Sequence, residues 1–293
     1  MEVVKVHHDF FDDIDQVKIK LDGGTALFPI FYRDARMFAL VLPANLRKLK
    51  RLLPDWRFVP AQAAPGVGSV VLIALEYYDT DISPYNEFLM GIVLNSPYFA
   101  PIPGYNLLRQ YLSRFFNVYV YHLPVTTEIA LRAGIDFYNF PKFIADIDFS
   151  DTEKRITCDL SRDSERILTM SGEKVPTGYS GEMKFMANLY QYRQPQIAEF
   201  KLNVIEGAIN WMPADVSWTF NTSNDIGMEF SDIVIGNRAS LYMYMPKMQG
   251  ILYGPENYSM PLLNRAMKAG LAPQTARKTA AKKAAAKKRT VGK

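Results

Sequence analysis

Short runs rich in Val, Ile, Leu, Tyr and Phe recur along this chain, and Gly, Pro, Asp or Asn residues separate them. Six of these runs have the length of a strand: 70–78, 88–94, 118–123, 142–149, 155–160 and 166–170. β-Branched and aromatic residues favour strands, whereas Gly, Pro, Asp and Asn favour the turns between them. The pattern predicts a β-dominated fold, and 293 residues suit one large domain better than two small ones.

Some of the runs are apolar on both faces, as in Phe-Leu-Met-Gly-Ile-Val-Leu at 88–94. A strand of this kind needs a core on one side and a second layer or a second subunit on the other. A closed or half-closed barrel meets this need. We also expect three short helices, at 44–53, within 101–116 and at 260–269, because apolar residues there are spaced as on one helix face.

The basic residues of the chain are concentrated in one segment. Eight of them and no acidic residue lie in 271–293, so residues 1–270 carry a net charge of −4 although the whole chain carries +4. The segment is rich in Ala and Lys and poor in large apolar residues, so we expect a disordered tail after a single folded domain at 1–270. The acidic charge of that domain argues against nucleic acid as a partner.

Several classes of chemistry lack their sequence signals. Cys158 is the single cysteine, which excludes an intrachain disulfide and favours a reducing compartment. The sequence has neither a P-loop nor a dinucleotide-binding glycine pattern, and its three histidines do not have the spacing of a metal site. It also has no apolar run long enough to span a membrane. We therefore expect a cytoplasmic protein that uses no metal or cofactor and does not enter a membrane.

Two segments are candidates for the chemistry. The first, 76–87, is a polar link between two apolar runs and ends in the carboxylate of Glu87. The second, 133–147, sets Lys142 among the apolar neighbours Phe140, Phe143 and Ile144. Burial among such side chains would lower the pKa of the lysine and leave a neutral amine that can attack a ketone. Composition alone still favours a surface lysine whose head lies in water.

The same two segments resemble the acetoacetate decarboxylase superfamily. Its members carry a Pro-Tyr-Asn-Glu-like stretch before a strand, which is matched at 84–87. They also carry a later glycine and a (Tyr/Phe)-Pro-Lys stretch, which are matched by Gly134 and by Phe-Pro-Lys at 140–142. The resemblance implies an α+β, β-dominated fold in which a large antiparallel barrel or cone-like sheet carries a few short helices. It also implies that Lys142 forms an imine and that Glu87 is an active-site glutamate.

The chain departs from the family pattern around the lysine. The family's Arg-Glu pair after the glycine is replaced by Ile135 and Asp136, and the second lysine of the family is replaced by Phe143. An active-site arginine of the family maps to Arg36 or Arg33, which would orient a substrate carboxylate. The altered polar residues predict a keto acid larger and more apolar than acetoacetate, bound by these arginines, Tyr85, Phe143 and, in a supporting role, Asp136.

Three functions agree with these residues. The leading hypothesis is a Schiff-base lyase that decarboxylates a β-keto acid through an imine on Lys142. The same imine stabilises a neighbouring carbanion, so aldolase or dehydratase chemistry is an alternative. A non-catalytic small-molecule-binding barrel, in which Lys142 pairs with a ligand carboxylate, is the third. The doubly apolar strands and the resemblance both predict a homo-oligomer.

Overall fold

The computed structural model describes residues 10–21 and 24–257. Among these residues, no helix is both long enough and apolar enough to cross a membrane. The first seven strands are β1 (Val17–Leu21), β2 (Gly24–Phe28), β3 (Ile30–Asn45), β4 (Val67–Thr80), β5 (Tyr85–Val93), β6 (Phe115–His122) and β7 (Asp146–Asp151). The others are β8 (Arg155–Arg162), β9 (Glu165–Glu173), β10 (Tyr179–Gln191), β11 (Gln194–Trp211), β12 (Val216–Phe220), β13 (Leu241–Leu252) and β14 (Glu256–Asn257). The helices are α1 (Leu46–Leu52), α2 (Tyr105–Leu112), α3 (Glu128–Arg132), a π-helical turn (Ala133–Tyr138) and α4 (Asp225–Ile233).

Seven strands close into a barrel. They follow the order β10, β6, β5, β4, β3, β13 and β11, and β11 then pairs with β10 to complete the circle. Every pair in the barrel is antiparallel except β6 with β10, which is parallel. The prediction of a β-dominated barrel with a few short helices is therefore confirmed, with one parallel pair in the otherwise antiparallel sheet.

A second sheet covers one side of the barrel. It has four antiparallel strands in the order β12, β9, β8 and β7. Alternate residues of β4 contact different cores. Ile73 and Leu75 point into the barrel, whereas Leu72 and Ala74 belong to a second cluster shared with the outer sheet and α4. The doubly apolar strands predicted from the sequence thus have two cores, and the second layer is part of the same chain.

The predicted elements can be compared with those observed. Five of the six predicted strands overlap β4, β5, β6, β8 and β9, and α1 and α2 lie inside the helices predicted at 44–53 and 101–116. The strand predicted at 142–149 begins at Asp146 instead. Residues 141–145 bond to 123–125, with Val125 N donating to Phe143 O at 2.9 Å, so Lys142 precedes the strand. The helix predicted at 260–269 and the tail predicted at 271–293 lie outside the described residues.

Candidate active site

Lys142 is positioned by the segment that follows α3. The π-helical turn ends at Asn139, whose φ of 62° reverses the chain, and Phe140 N then donates to Gly134 O at 2.9 Å. The stem of Lys142 lies directly on Gly134, where the Cβ of any other residue would overlap the lysine side chain. The glycine that matches the family pattern is therefore required by this close approach.

Lys142 and Glu87 form an ion pair inside the barrel. The lysine Nζ lies 2.7 Å from Glu87 Oε2, and the two side chains are 4% and 11% exposed. Glu87 is on β5 with its side chain on the inner face, beside Leu75 of β4. The two candidate residues, which are 55 positions apart in the chain, are thus brought into direct contact.

Three tyrosines surround this pair. Tyr77 donates a hydrogen bond to Glu87 Oε1 at 3.3 Å, the hydroxyls of Tyr32 and Tyr85 lie 3.2 Å apart, and Lys142 Nζ lies 5.5 Å from the Tyr85 ring centre. Burial, and then the nearby charge of Glu87, raise the pKa of all three well above the ordinary value. They remain neutral hydroxyls that can donate hydrogen bonds to a bound oxygen.

The ion pair faces a cavity of about 60 Å³. Apolar side chains supply most of its lining, among them Met37, Ile73, Leu75, Leu89, Leu123 and Phe140. Glu87, Lys142, Tyr32 and Tyr77 supply the polar part. Among the described residues, no arginine and no second lysine lines this cavity. The site therefore combines one amine, one carboxylate and neutral hydroxyls in apolar surroundings.

Arg36 and Arg33 do not lie with Lys142. Arg36 is on the outer face of β3, where it pairs with Glu76 at 2.5 Å and with Asp151 at 2.7 Å. Arg33 pairs with Asp81 at 2.7 Å near the start of the same strand. Neither side chain lines the cavity, so the arrangement gives no support to the predicted contact between these arginines and a substrate carboxylate.

Of the other residues predicted to contact the substrate, one lies beside Lys142 and two do not. Tyr85 lies beside Lys142, as described above. Phe143 points to the opposite side and packs in the second cluster, with its ring centre 6.1 Å from that of His122. Asp136 is exposed on the π-helical turn. The apolar surroundings expected from Phe143 are instead supplied by Phe140 and the barrel strands.

Sequence reasoning missed Tyr32 and Tyr77. Tyr77 lies within the polar segment 76–87 that was singled out, and it pairs with Tyr85 across β4 and β5. Counting alternate residues back from Glu87 and across the hairpin would have placed it on the inner face. Tyr32 could not be placed on the inner face by such a count, because the pairing of β3 is irregular just after it.

A metal site in the structure would need several His, Cys, Asp or Glu side chains close together. In the part of the chain that it describes, no group of three or more His, Cys, Asp or Glu side chains could hold a metal ion. Burial lowers the pKa of His122 to about 4, so this imidazole is neutral at physiological pH. Its ring packs against Tyr121, with ring centres 4.6 Å apart, as expected for a structural role.

Comparisons with known proteins agree with this fold. No curated protein matched the sequence. Among solved structures, the fold is similar to acetoacetate decarboxylase from Legionella pneumophila subsp. pneumophila str. Philadelphia 1, with a TM-score of 0.55 and 12% identity over 79% of this chain and 87% of that one. It is also similar to the enduracididine biosynthesis enzyme MppR complexed with pyruvate, with a TM-score of 0.52 and 13% identity over 78% and 90% of the two chains.

The sequence gives a more specific result than the fold. Residues 20–220, more than half of the chain, match the acetoacetate decarboxylase (ADC) family. This range includes both motif segments and the Lys142–Glu87 pair. The chain therefore belongs to the acetoacetate decarboxylase family.

Proposed function

We propose that this protein is a Schiff-base lyase that decarboxylates a β-keto acid through an imine on Lys142. The observation that carries the proposal is the buried contact of 2.7 Å between Lys142 Nζ and Glu87 Oε2 at the wall of an apolar cavity. A lysine in this position can reach a bound carbonyl carbon, and the carboxylate beside it can exchange protons with the amine.

Imine formation needs both members of the pair. Glu87 takes a proton from the Lys142 ammonium, and the neutral amine attacks the ketone carbon to give a carbinolamine. Glu87 then returns the proton to the departing hydroxyl, which leaves as water. The product is a protonated imine on Lys142, with Glu87 again a carboxylate, so the proton is conserved through the step.

Decarboxylation follows from the positive charge of the imine. The electrons of the bond to the carboxylate carbon move into the imine as carbon dioxide leaves, which gives a neutral enamine. Glu87, protonated again by a proton taken up from the solvent, is close enough to Lys142 to protonate the enamine carbon, and water then hydrolyses the imine to release the ketone and the Lys142 ammonium. Tyr77 donates its hydroxyl hydrogen to Glu87, and Tyr32 at the cavity wall offers a neutral donor to a substrate oxygen.

The apolar lining supports decarboxylation in particular. No arginine of the described chain lines the cavity, so a substrate carboxylate there is poorly solvated and has Lys142 and tyrosine hydroxyls as its polar partners. This charge disappears as carbon dioxide forms. Surroundings that solvate the carboxylate poorly therefore favour the transition state over the bound acid.

An aldolase or dehydratase reaction through the same imine is the second candidate. It uses the same amine and the same carboxylate beside it. A structure of similar fold, with a TM-score of 0.50, is the enzyme MppR complexed with the condensation product of pyruvate and imidazole 4-carboxaldehyde. In this candidate, Glu87 serves as the acid and base beside the iminium carbon.

Borohydride trapping tests the imine directly. The full chain is incubated with a panel of 2- and 3-keto acids, reduced, digested and mapped by mass spectrometry, while carbon dioxide release is followed in parallel. We expect an adduct on Lys142 and gas from at least one 3-keto acid, and neither from Lys142→Arg. Binding without any adduct on Lys142 would contradict the imine and favour a binding barrel. An adduct without gas would favour the second candidate.

A further inference from the structure

The barrel contains a second cavity at its other end. Its volume is about 240 Å³, four times that of the cavity beside Lys142. The inner faces of the strands and α2 line it, and most of the lining is apolar, including Val41, Val71, Val93, Leu107, Trp211 and Met243. None of the residues assigned to the imine chemistry lines this second cavity.

The two cavities lie in line along the inside of the barrel. On β4, Ile73 lines the first cavity and Val71 the second, so successive inward residues, about 7 Å apart, belong to different cavities. On β5 the same change occurs between Leu89 and Val93. Phe185 of β10 lines both cavities, so the two meet at this residue.

The first cavity is too small for the apolar substrate expected from the sequence. A single water needs roughly 10–15 Å³ of cavity volume, so 60 Å³ has room for about four to six waters, or for the carbonyl and carboxyl groups with a few carbons. Any longer chain attached to them must extend past Phe185. The space and the apolar surface for such a chain are both present on the far side.

The second cavity also contains a polar group that suggests a ligand. Ser69 of β4 is 1% exposed and lines the cavity. Its hydroxyl oxygen is buried and makes no hydrogen bond with any described residue. Such a group costs free energy unless it meets a partner, and an oxygen atom on a bound chain can serve as that partner.

We infer that the substrate is a keto acid with an extended aliphatic chain, whose reacting end lies at Lys142 and whose tail occupies the second cavity past Phe185. The inference rests on the proposed function for the reacting end. The site for the tail is supported independently, by the second cavity and its apolar lining. Ser69 is placed to hydrogen-bond an oxygen on the tail, such as a hydroxyl or keto group.

Chain-length preference tests the inference. Straight-chain 3-keto acids of four to twelve carbons are compared by kcat/KM for carbon dioxide release and by the rate of borohydride trapping. We expect kcat/KM to rise by about fourfold for each methylene that enters the second cavity. Val71→Phe and Leu107→Trp, which fill that cavity from two sides, should remove the rise and leave the four-carbon acid within about twofold of wild type.

A binding measurement separates this inference from the imine. Long-chain methyl ketones are titrated into Lys142→Ala that also carries Trp56→Phe and Trp218→Phe, so that Trp211 at the second cavity is the remaining tryptophan. A fluorescence change that Val71→Phe abolishes supports the tail site even if no imine forms. Trapping of the four-carbon acid without any chain-length rise, and with no Trp211 response, would overturn the tail site and leave the imine intact.

Discussion

Two ionic clusters lie on opposite faces of the barrel sheet. Inside the barrel, Lys142 has one carboxylate partner, Glu87, and both face an apolar cavity. On the outer face, Arg36 bonds to Glu76 and Asp151, and Asp151 also pairs with Lys174 at 2.7 Å. The inner ion pair leaves space for a ligand beside it, whereas these charges on the outer face are all paired with one another.

The difference indicates which charges can act on a ligand. The Arg36 guanidinium also lies over the Phe149 ring, 5.4 Å from its centre, so its face is covered as well. Although burial alone would lower the pKa of Arg36, its hydrogen bonds to Asp151 and Glu76 raise the pKa above the ordinary value. A cation held in this way contributes to stability, whereas an amine with one partner and an open side can react.

Substitution of one lysine from each cluster should give the largest difference in activity between the two clusters. Each lysine Nζ lies 2.7 Å from a carboxylate oxygen, so Lys174→Ala is a matched control for Lys142→Ala. We expect Lys142→Ala to abolish the trapped adduct and to lower kcat/KM by about a thousandfold or more, because the nucleophile is lost. Lys174→Ala should leave both within about twofold. Comparable losses in the two variants, at equal folded fractions by circular dichroism, would contradict the assignment.

The two glutamates give the next largest difference. Glu87→Gln keeps the size of the side chain but cannot take the lysine proton, so we expect kcat to fall by about 100- to 10,000-fold. Glu76→Gln on the outer face is the control, and its kcat should stay within about twofold of wild type. Steady-state release of carbon dioxide measures both. An unchanged kcat in Glu87→Gln would remove the carboxylate from the proposed proton transfers.

The sequence predicted the pair but not the face on which each arginine lies. Lys142 and Glu87 belong to short gapless motifs, so the family resemblance carried them together across 55 positions. Arg36 and Arg33 were instead alternatives within one segment that the resemblance aligned, and the pairing of β3 with β4 shifts register between Tyr32 and Ala35. Such bulges exchange the inner and outer faces of a strand, and no residue pattern in this segment marks them.

The lack of a local signal for strand pairing also explains which strands the sequence predicted. The runs at 70–78 and 88–94 have apolar residues on both faces and are readily identified. β3 and β11 are longer, with 16 and 18 residues, but charged residues interrupt their apolar pattern where they pass between the two clusters or reach solvent. Closure of the barrel depends on pairing between β10 and β11 and between β6 and β10, which local sequence does not specify.

Arg36→Met tests whether the outer network is structural. The substitution leaves Glu76 and Asp151 without their shared partner, and we expect a loss of about 1–3 kcal/mol in the free energy of unfolding, measured with urea. Trapping on Lys142 and KM for the keto acid should remain within about twofold of wild type. A raised KM with unchanged stability would instead restore the substrate-carboxylate role that the sequence predicted for Arg36.

The pH dependence of the outer network should give the smallest effect. Burial alone would raise the pKa of Asp151, but hydrogen bonds from Arg36 and Lys174 hold it below its ordinary value of 3.8. A carboxyl whose pKa is lowered by folding adds stability above its unfolded pKa, and that stability is lost as the pH falls through the folded value. Wild type should therefore be more stable than Asp151→Asn at pH 7, by about 0.5–1 kcal/mol for a partly exposed pair. This difference should shrink below pH 3.8, whereas a difference that grows on acidification would reverse the assigned sign.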